Sequence, residues 1–348
     1  MRIVHAADFH NSLAGSFIPA IAALARSRRA RGDEFFLVVP RIPDAVWHDD
    51  ALASGIELLV VDGDEGARRA VRTLGADLLH LHFYGWLLPV TLAEWRTRTT
   101  ILWHIHSGDH RPQTLRNRVG AWLRFRLAGA RARRILVVSG AVADQIKTVG
   151  APARKVVVVP NAIDEHHFRP PTASERAEAR ASFGIPSDAP VVAFFGRDPI
   201  IKGTDRLVAA MRDIPEAILV AVGADDGALQ DLQGRRVVSV RRVDDVRSVY
   251  WASDALAMPS RAEGMPYTLL EASATGLPAV TSAIAPLREA AATIPTITSV
   301  DADDPRAFAS AIRRSLGSAR SPADSIVRKH SLDRWVETVE AIYDEVCS

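Results

Sequence analysis

Two stretches decide the fold: FFGRDPIIKG at Phe194–Gly203 and PSRAEGMPYTLLEASATGLP at Pro259–Pro278. Each follows a short apolar run, VVAFF at 191–195 and ALAM at 255–258, and each leads into a segment with helical punctuation. Loops that join a buried strand to a helix in this way belong to parallel sheets covered by helices, which bind ligands outside the carboxyl ends of their strands. In the first loop Gly196 lets backbone approach a ligand, Arg197 presents a planar fork matched to phosphate oxygens, and Lys202 adds a point charge. In the second, Pro266 sits where a helix begins, Gly276 where it ends and Pro278 just beyond. Glu263 then lies on the loop with Gly264 and Met265. Glu271 falls in the second turn and leans back toward the mouth faced by the free N–H groups of Tyr267, Thr268 and Leu269. Those amides and the helix dipole favour phosphate, while carboxylates accept from hydroxyls. Together the loops suit one ligand carrying phosphates and hydroxyls, such as a nucleotide sugar, with Glu271 suited to the ribose and Glu263 to the sugar.

Outward from these loops the same alternation of apolar runs and helical segments continues in both directions. Strands are predicted at 2–7, 35–39, 56–61, 78–82, 100–106, 135–139 and 156–159, one complete doubly wound domain over residues 1–167. A proline-bearing connection, Phe168-Arg-Pro-Pro171 followed by SERAEARASFGIPSDAP, leads into a second series at 191–195, 218–222, 237–240, 255–258 and 279–281. The second domain, 168–330, is smaller and built the same way. The expected fold is α/β, two Rossmann-like doubly wound domains facing a central cleft.

The composition agrees with a folded two-domain protein: 348 residues, 48% apolar, and no low-complexity tract. The start reads as a strand rather than a signal peptide, and no apolar run approaches the roughly 18 residues of a membrane span, so a cytoplasmic protein is expected. The single cysteine, Cys347, excludes an intrachain disulfide or a thiolate metal cluster. Net charge is +2, but residues 1–167 carry 22 Lys+Arg against 16 Asp+Glu while the remainder carries 21 against 25. The first half is therefore the one expected to meet an anionic partner.

The second stretch resembles the signature of glycosyltransferase family 4, two glutamates eight positions apart in a PSxxEGxxxxxLEAxAxGxP context. Pro259, Ser260, Glu263, Gly264, Leu270, Glu271, Ala272, Ala274, Gly276 and Pro278 match it. The GR…KG element with Arg197 and Lys202, the ASD at Ala252–Asp254, and VVSGAVADQI followed by VVVPNAID at Val137–Asp164 are similar to the family in order and spacing. The resemblance implies a GT-B fold and a retaining, metal-independent transferase that needs no cofactor. It moves a hexose-type sugar from a nucleoside-diphosphate sugar to a hydroxyl acceptor by front-face attack. It also implies that Arg197 and Lys202 bind the donor diphosphate, Glu271 the ribose and Glu263 the transferred sugar, and that His106, before Ser107-Gly108, contacts that sugar near its anomeric centre. The last helix, 332–346, would cross back so that residues 331–348 complete the first domain. The family's Gly-Gly pair near the donor phosphates is represented by Asn11-Ser-Leu-Ala-Gly-Ser16 with one glycine, Gly15. Its Asn-Gly-[Ile/Val]-Asp appears as Asn161-Ala-Ile-Asp164.

Two further features compete for a role. His80/His82 and His104/His106 each share one face of a strand, and without an acid at ligand spacing they are read as hydrogen-bonded residues rather than a metal site. Between Arg111 and Arg134 there are eight arginines and no acid, with Leu115, Val119, Trp122 and Leu123 at helical spacing. That helix is expected to pack its apolar side on the core and solvate its arginines; the alternatives are contact with anionic lipid or an anionic acceptor. Nucleic acid is disfavoured, since no aromatic residues interleave a basic reading motif. Arg241 and Arg242 lie where the donor base is expected. A glycoside hydrolase or phosphorylase, with Glu263 and Glu271 flanking one bond, and a non-catalytic nucleotide-sugar binding protein are the competing readings.

Overall fold

Strands β1 (Arg2–Ala7), β2 (Glu34–Pro40), β3 (Glu57–Val61), β4 (Leu78–His82), β5 (Thr100–Ile105), β6 (Arg134–Val137) and β7 (Val156–Val158) pair in parallel in the order β3-β2-β1-β4-β5-β6-β7. A second sheet holds β8 (Val191–Phe195), β9 (Ile218–Val222), β10 (Val237–Val240), β11 (Ala255–Met258), β12 (Ala279–Ser282) and β13 (Ile297–Val300), also parallel, in the order β10-β9-β8-β11-β12-β13. The computed structural model describes residues 1–11, 14–43, 45–108, 114–232, 237–241, 243, 245–321 and 329–348. Ser12, Leu13, Arg111 and Arg242 lie outside the described residues. The chain divides into two compact units, Met1–Asp164 with His330–Ser348, and Glu165–Lys329.

The central strands are buried on both faces because helices cover both, and β1, β4, β5, β8 and β11 are buried almost throughout. Strand β13, which sequence inspection misses, is a short edge strand whose ITSV leaves Thr298 exposed. A half-polar edge strand carries too weak a pattern to stand out.

Local signals place the helices. Thr172 and Glu175 form a capping box at the start of helix Ala173–Ser182, and Asp304 accepts from the amides of Arg306 and Ala307 at the start of Pro305–Leu316. In the second unit Asp254, between helix Arg247–Ala252 and β11, accepts from the Val191 amide, Arg176 and Arg180, and so ties β8 to helix Ala173–Ser182. In the first unit, helix Leu332–Cys347 packs on helix Phe17–Ala30. There Ser27 donates to Glu340 at 2.8 Å, Arg28 pairs with Asp344 at 3.2 Å, and Trp335, Val339 and Tyr343 are buried.

The arginine-rich segment corrects an expectation. It is helical from Leu115 to Arg131, with a π-helical stretch at Arg124–Ala128, and it does not turn its apolar row to the core. Leu115 is 78% exposed and Trp122 49%, and Val119, Leu123 and Leu127 are exposed as well. The core contacts come instead from Ala121, Phe125 and Ala128. The sequence shows one row of helical spacing, but two rows exist, and the row of Ala121, Phe125 and Ala128 faces inward.

Candidate functional site

In each sheet the strand order reverses at one place, between β1 and β4 and between β8 and β11. Ligands of open parallel sheets bind there, because adjacent loops diverge and leave a crevice. In the second unit the loops leaving β8 and β11 at this point are the two stretches that carry the sequence motifs.

The loop after β8 holds Gly196 and Arg197 and then a one-turn helix, Pro199–Lys202, which sequence inspection reads as plain loop. Asp198 caps it, accepting from the amides of Ile200 and Ile201. Gly203 ends it at φ +69 and starts helix Thr204–Met211. A Cβ at Gly203 would lie 2.2 Å from the Pro259 carbonyl oxygen, so only glycine lets the two loops approach this closely. Arg261 stitches them further, donating from its amide to Ile201 O at 2.8 Å and from its guanidinium to Asp205 at 2.7 Å. The Asp205 carboxyl is held below its ordinary range chiefly by that guanidinium.

This approach brings Lys202 Nζ to 2.7 Å from Glu263 Oε1, with the Glu263 side chain 8% exposed and that of Lys202 27%. Glu271 is buried in helix Tyr267–Ala274, where Tyr250 Oη donates to its Oε2 at 2.7 Å. Burial first, then the Glu271 charge, raises the Tyr250 phenol far above its usual range, so Tyr250 stays a donor and Glu271 an acceptor. The helix starts at Pro266, which offers no side-chain cap to the amides of Tyr267 and Thr268. Leu269 departs from expectation: its amide donates to the Pro266 carbonyl at 3.1 Å and its side chain is fully buried, so it supplies no free N–H. Gly264 and Met265 are buried beneath the loop, and Arg197 is exposed at its rim. Tyr250, Asp205 and Arg261 were not legible as site residues, since nothing in their local sequence signals the partner each finds.

In the first unit His5, His80, His82 and His104 are fully buried beside one another on β1, β4 and β5, and His106 follows β5. Desolvation pushes His5 and His106 down to about 3, with the accepting side chain of Asn161 opposing the shift at His106, and holds His80, His82 and His104 well below the ordinary range. All five imidazoles are therefore neutral at pH 7. His5/His80/His82 and His82/His104/His106 each place three nitrogens within 4.8 Å, close enough for a metal ion. Several of those nitrogens already bond to one another, His5 to His82 at 2.9 Å and His82 to His106 at 3.0 Å, which accounts for the grouping without an ion. Phe83, immediately after β4 at the strand-order reversal, has φ 63 and lies 4.5 Å from the His106 ring. A phenylalanine there costs about 1–2 kcal/mol and persists because its amide bonds to His104 O and its ring packs with Phe9 and Phe17. Gly15, at φ 52, turns the chain into helix Phe17–Ala30.

Two doubly wound units, one with the two motif-bearing loops at its reversal point, define the class of two-domain GT-B proteins. Comparison agrees. The family described as Glycosyl transferases group 1 matches residues 189–318, and that described as Glycosyltransferase Family 4 matches residues 20–167. The chain belongs to glycosyltransferase family 4. It is 32% identical over 183 residues to the D-inositol 3-phosphate glycosyltransferase of Xylanimonas cellulosilytica, covering 48% of this chain and 44% of that protein. It is 28% identical over 276 residues to the one from Corynebacterium urealyticum, covering 69% and 63%. The matches thus span about half the length of these relatives. Among solved structures, HepE of Anabaena in complex with UDP and glucose superposes with a TM-score of 0.80 at 17% identity over 99% of this chain and 100% of that one. WaaG, a glycosyltransferase involved in lipopolysaccharide biosynthesis, superposes with a TM-score of 0.70 at 16% identity, covering 98% and 99%.

Proposed function

We propose that this protein transfers a hexose-type sugar from a nucleoside-diphosphate sugar to a hydroxyl acceptor, retaining the anomeric configuration and using no metal. The observation that carries this reading is the Lys202–Glu263 pair beside the uncapped start of helix Tyr267–Ala274, with Glu271 held as an acceptor by Tyr250. Phosphates are drawn to Lys202, Arg197 and the amides of Tyr267 and Thr268; the ribose hydroxyls donate to Glu271 and a sugar hydroxyl to Glu263. The bond from C1 to the diphosphate oxygen breaks, the acceptor oxygen bonds C1, and the acceptor proton leaves on the departing phosphate. Lys202 and the helix amides stabilise the charge that grows there, the part a divalent cation plays elsewhere. HepE, solved with UDP and glucose, supports the donor class, and the inositol 3-phosphate enzymes support a hydroxyl acceptor. His106 is read as the sugar-facing group of the first unit.

Among the described residues no helix is long and apolar enough to cross a membrane. The exposed row Leu115, Val119, Trp122 and Leu127, flanked by Arg116, Arg118 and Arg126, supports peripheral contact with an anionic membrane surface, which would place the enzyme at the cytoplasmic face of a membrane.

The test is calorimetry and thermal shift against UDP, GDP, ADP, dTDP and their sugar conjugates, with wild type and Glu271→Ala. A base-selective stabilisation that Glu271→Ala abolishes is expected. No stabilisation of folded protein by any of them would overturn the reading.

A further inference from the structure

Arg320, shortly after helix Pro305–Leu316, is half-buried and sets its guanidinium against the C-terminal ends of two other helices. Nη1 donates to Thr275 O at 3.0 Å, just beyond helix Tyr267–Ala274. Nη2 faces three carbonyls at the end of helix Arg247–Ala252: Tyr250 O at 2.6 Å, Trp251 O at 3.2 Å and Ser253 O at 2.5 Å. Helix ends leave such carbonyls unpaired and favour a cation beside them. Arg176 also donates to Trp251 O at 2.7 Å and Ser253 O at 3.0 Å, and Arg180 donates to Ala252 O at 3.1 Å. Tyr250 O and Thr275 O, by contrast, are bonded by Arg320 alone among the described residues.

Both of those carbonyls lead to Glu271. The Tyr250 phenol donates to Glu271 Oε2 at 2.7 Å, and the Thr275 amide donates to Glu271 O at 3.0 Å. Arg320 therefore closes a ring: from Nη2 through Tyr250 to the Glu271 carboxylate, then from Glu271 O through Thr275 back to Nη1. The main chain beside it is fixed as well, since the Ser321 amide donates to Gly276 O at 3.2 Å. Gly276 turns at φ +73, and a Cβ there would stand 3.1 Å from Ser321 O and 3.5 Å from Arg320 Cβ. The glycine that ends the Glu271 helix thus lets Arg320 and Ser321 lie close against it.

We propose that Arg320 is a positioning residue for the nucleoside-diphosphate donor: by tying the ends of two helices together it holds the Tyr250 phenol on the Glu271 carboxylate and so sets donor affinity through Glu271. This rests on the reading of Glu271 as the acceptor of the donor's ribose hydroxyls. The role needs the planar fork, because its two terminal nitrogens serve two different helices, and a lysine keeps the charge without the fork.

Calorimetry uses whichever of UDP, GDP, ADP and dTDP the wild type binds most tightly. Arg320→Met is expected to weaken that binding about tenfold, the worth of one hydrogen bond at Glu271, and Arg320→Lys to recover only part of the loss. Tyr250→Phe should weaken it to the same extent, and the double variant Arg320→Met/Tyr250→Phe no further, because both changes remove the same support. Losses that multiply in the double variant would overturn the proposal, and so would wild-type affinity in Arg320→Lys. A second readout needs no nucleotide. The chain has four tyrosines, so protein labelled with 13C at tyrosine Cζ gives a sparse spectrum in which the Tyr250 signal is the one missing from Tyr250→Phe. Arg320→Met is expected to move that signal toward its position in Glu271→Ala; an unmoved signal in folded Arg320→Met overturns the clamp. A moved signal with affinity unchanged in Arg320→Met and Glu271→Ala alike would instead overturn the reading of Glu271 on which the proposal rests.

Discussion

Lys202 Nζ lies 2.7 Å from Glu263 Oε1, so the cation suited to the donor diphosphate is held by the carboxylate suited to the sugar. A diphosphate must draw Lys202 away from Glu263, and a sugar hydroxyl then satisfies the carboxylate left behind. Glu263→Gln should therefore tighten binding of the bare nucleoside diphosphate several-fold and weaken that of the sugar conjugate. Lys202→Ala should lower kcat at least tenfold with a smaller effect on KM, because leaving-group charge grows in the transition state. Titration calorimetry with diphosphate and conjugate side by side gives the first comparison; parallel losses of both ligands in Glu263→Gln would refute the coupling.

Tyr250→Phe leaves the buried Glu271 carboxylate without its 2.7 Å donor. A hydrogen bond to a buried charge is worth about 1.5–3 kcal/mol, so denaturant unfolding should show a loss of that order. Nucleotide affinity should fall about tenfold, since Glu271 is no longer fixed.

Gly203→Ala sets a methyl group 2.2 Å from Pro259 O at a left-handed φ. It should cost about 2 kcal/mol or more and abolish donor binding, because the two loops must separate. Gly75→Ala is the control: it shares a positive φ but has nothing within 4 Å of the added Cβ, and should cost about 1 kcal/mol with donor binding intact.

The four fully buried histidines, with half-buried His106, should make the first unit acid-labile. Each is neutral when folded and titrates near 6.5 when unfolded, so below that pH the unfolded chain binds more protons. Their contribution is fully present above about pH 7 and is lost as pH falls from 6.5 toward the folded values, about 3 for His5 and His106. The slope is up to about 1.4 kcal/mol per pH unit for each histidine. Unfolding free energies measured from pH 8 to pH 5 should fall steeply; a flat profile would contradict neutral burial.

Co-sedimentation with vesicles tests the exposed row on helix Leu115–Leu123. Binding to vesicles with anionic lipid at low salt, reduced by salt and by Trp122→Ser with Leu115→Ser, is expected. Equal partition into neutral and anionic vesicles would rule out the electrostatic part.

Much of the site was readable because helix punctuation and loop chemistry are local. Pro266, Gly276 and Pro278 bracket a helix whatever surrounds it, and Glu263 and Glu271 follow from that frame. Leu269 was misplaced because the first turn tightened onto Pro266 O, a closure that residue type does not signal. The one-turn helix at Pro199–Lys202 was missed because four residues carry no period.

By itself the sequence determined two doubly wound sheets and the order of their apolar runs, since both rest on periodicity along the chain, and its loop residues carried the resemblance to the family. Only the tertiary structure decided that Lys202 grips Glu263, that Tyr250 holds Glu271, that the arginine-rich helix turns its apolar row outward, and that Tyr343 joins His5 from the far end of the chain. Those partners are 61, 21 and 338 residues apart in the three pairs. Their meeting depends on how parallel strands are ordered and helices packed, which no local pattern of residues records.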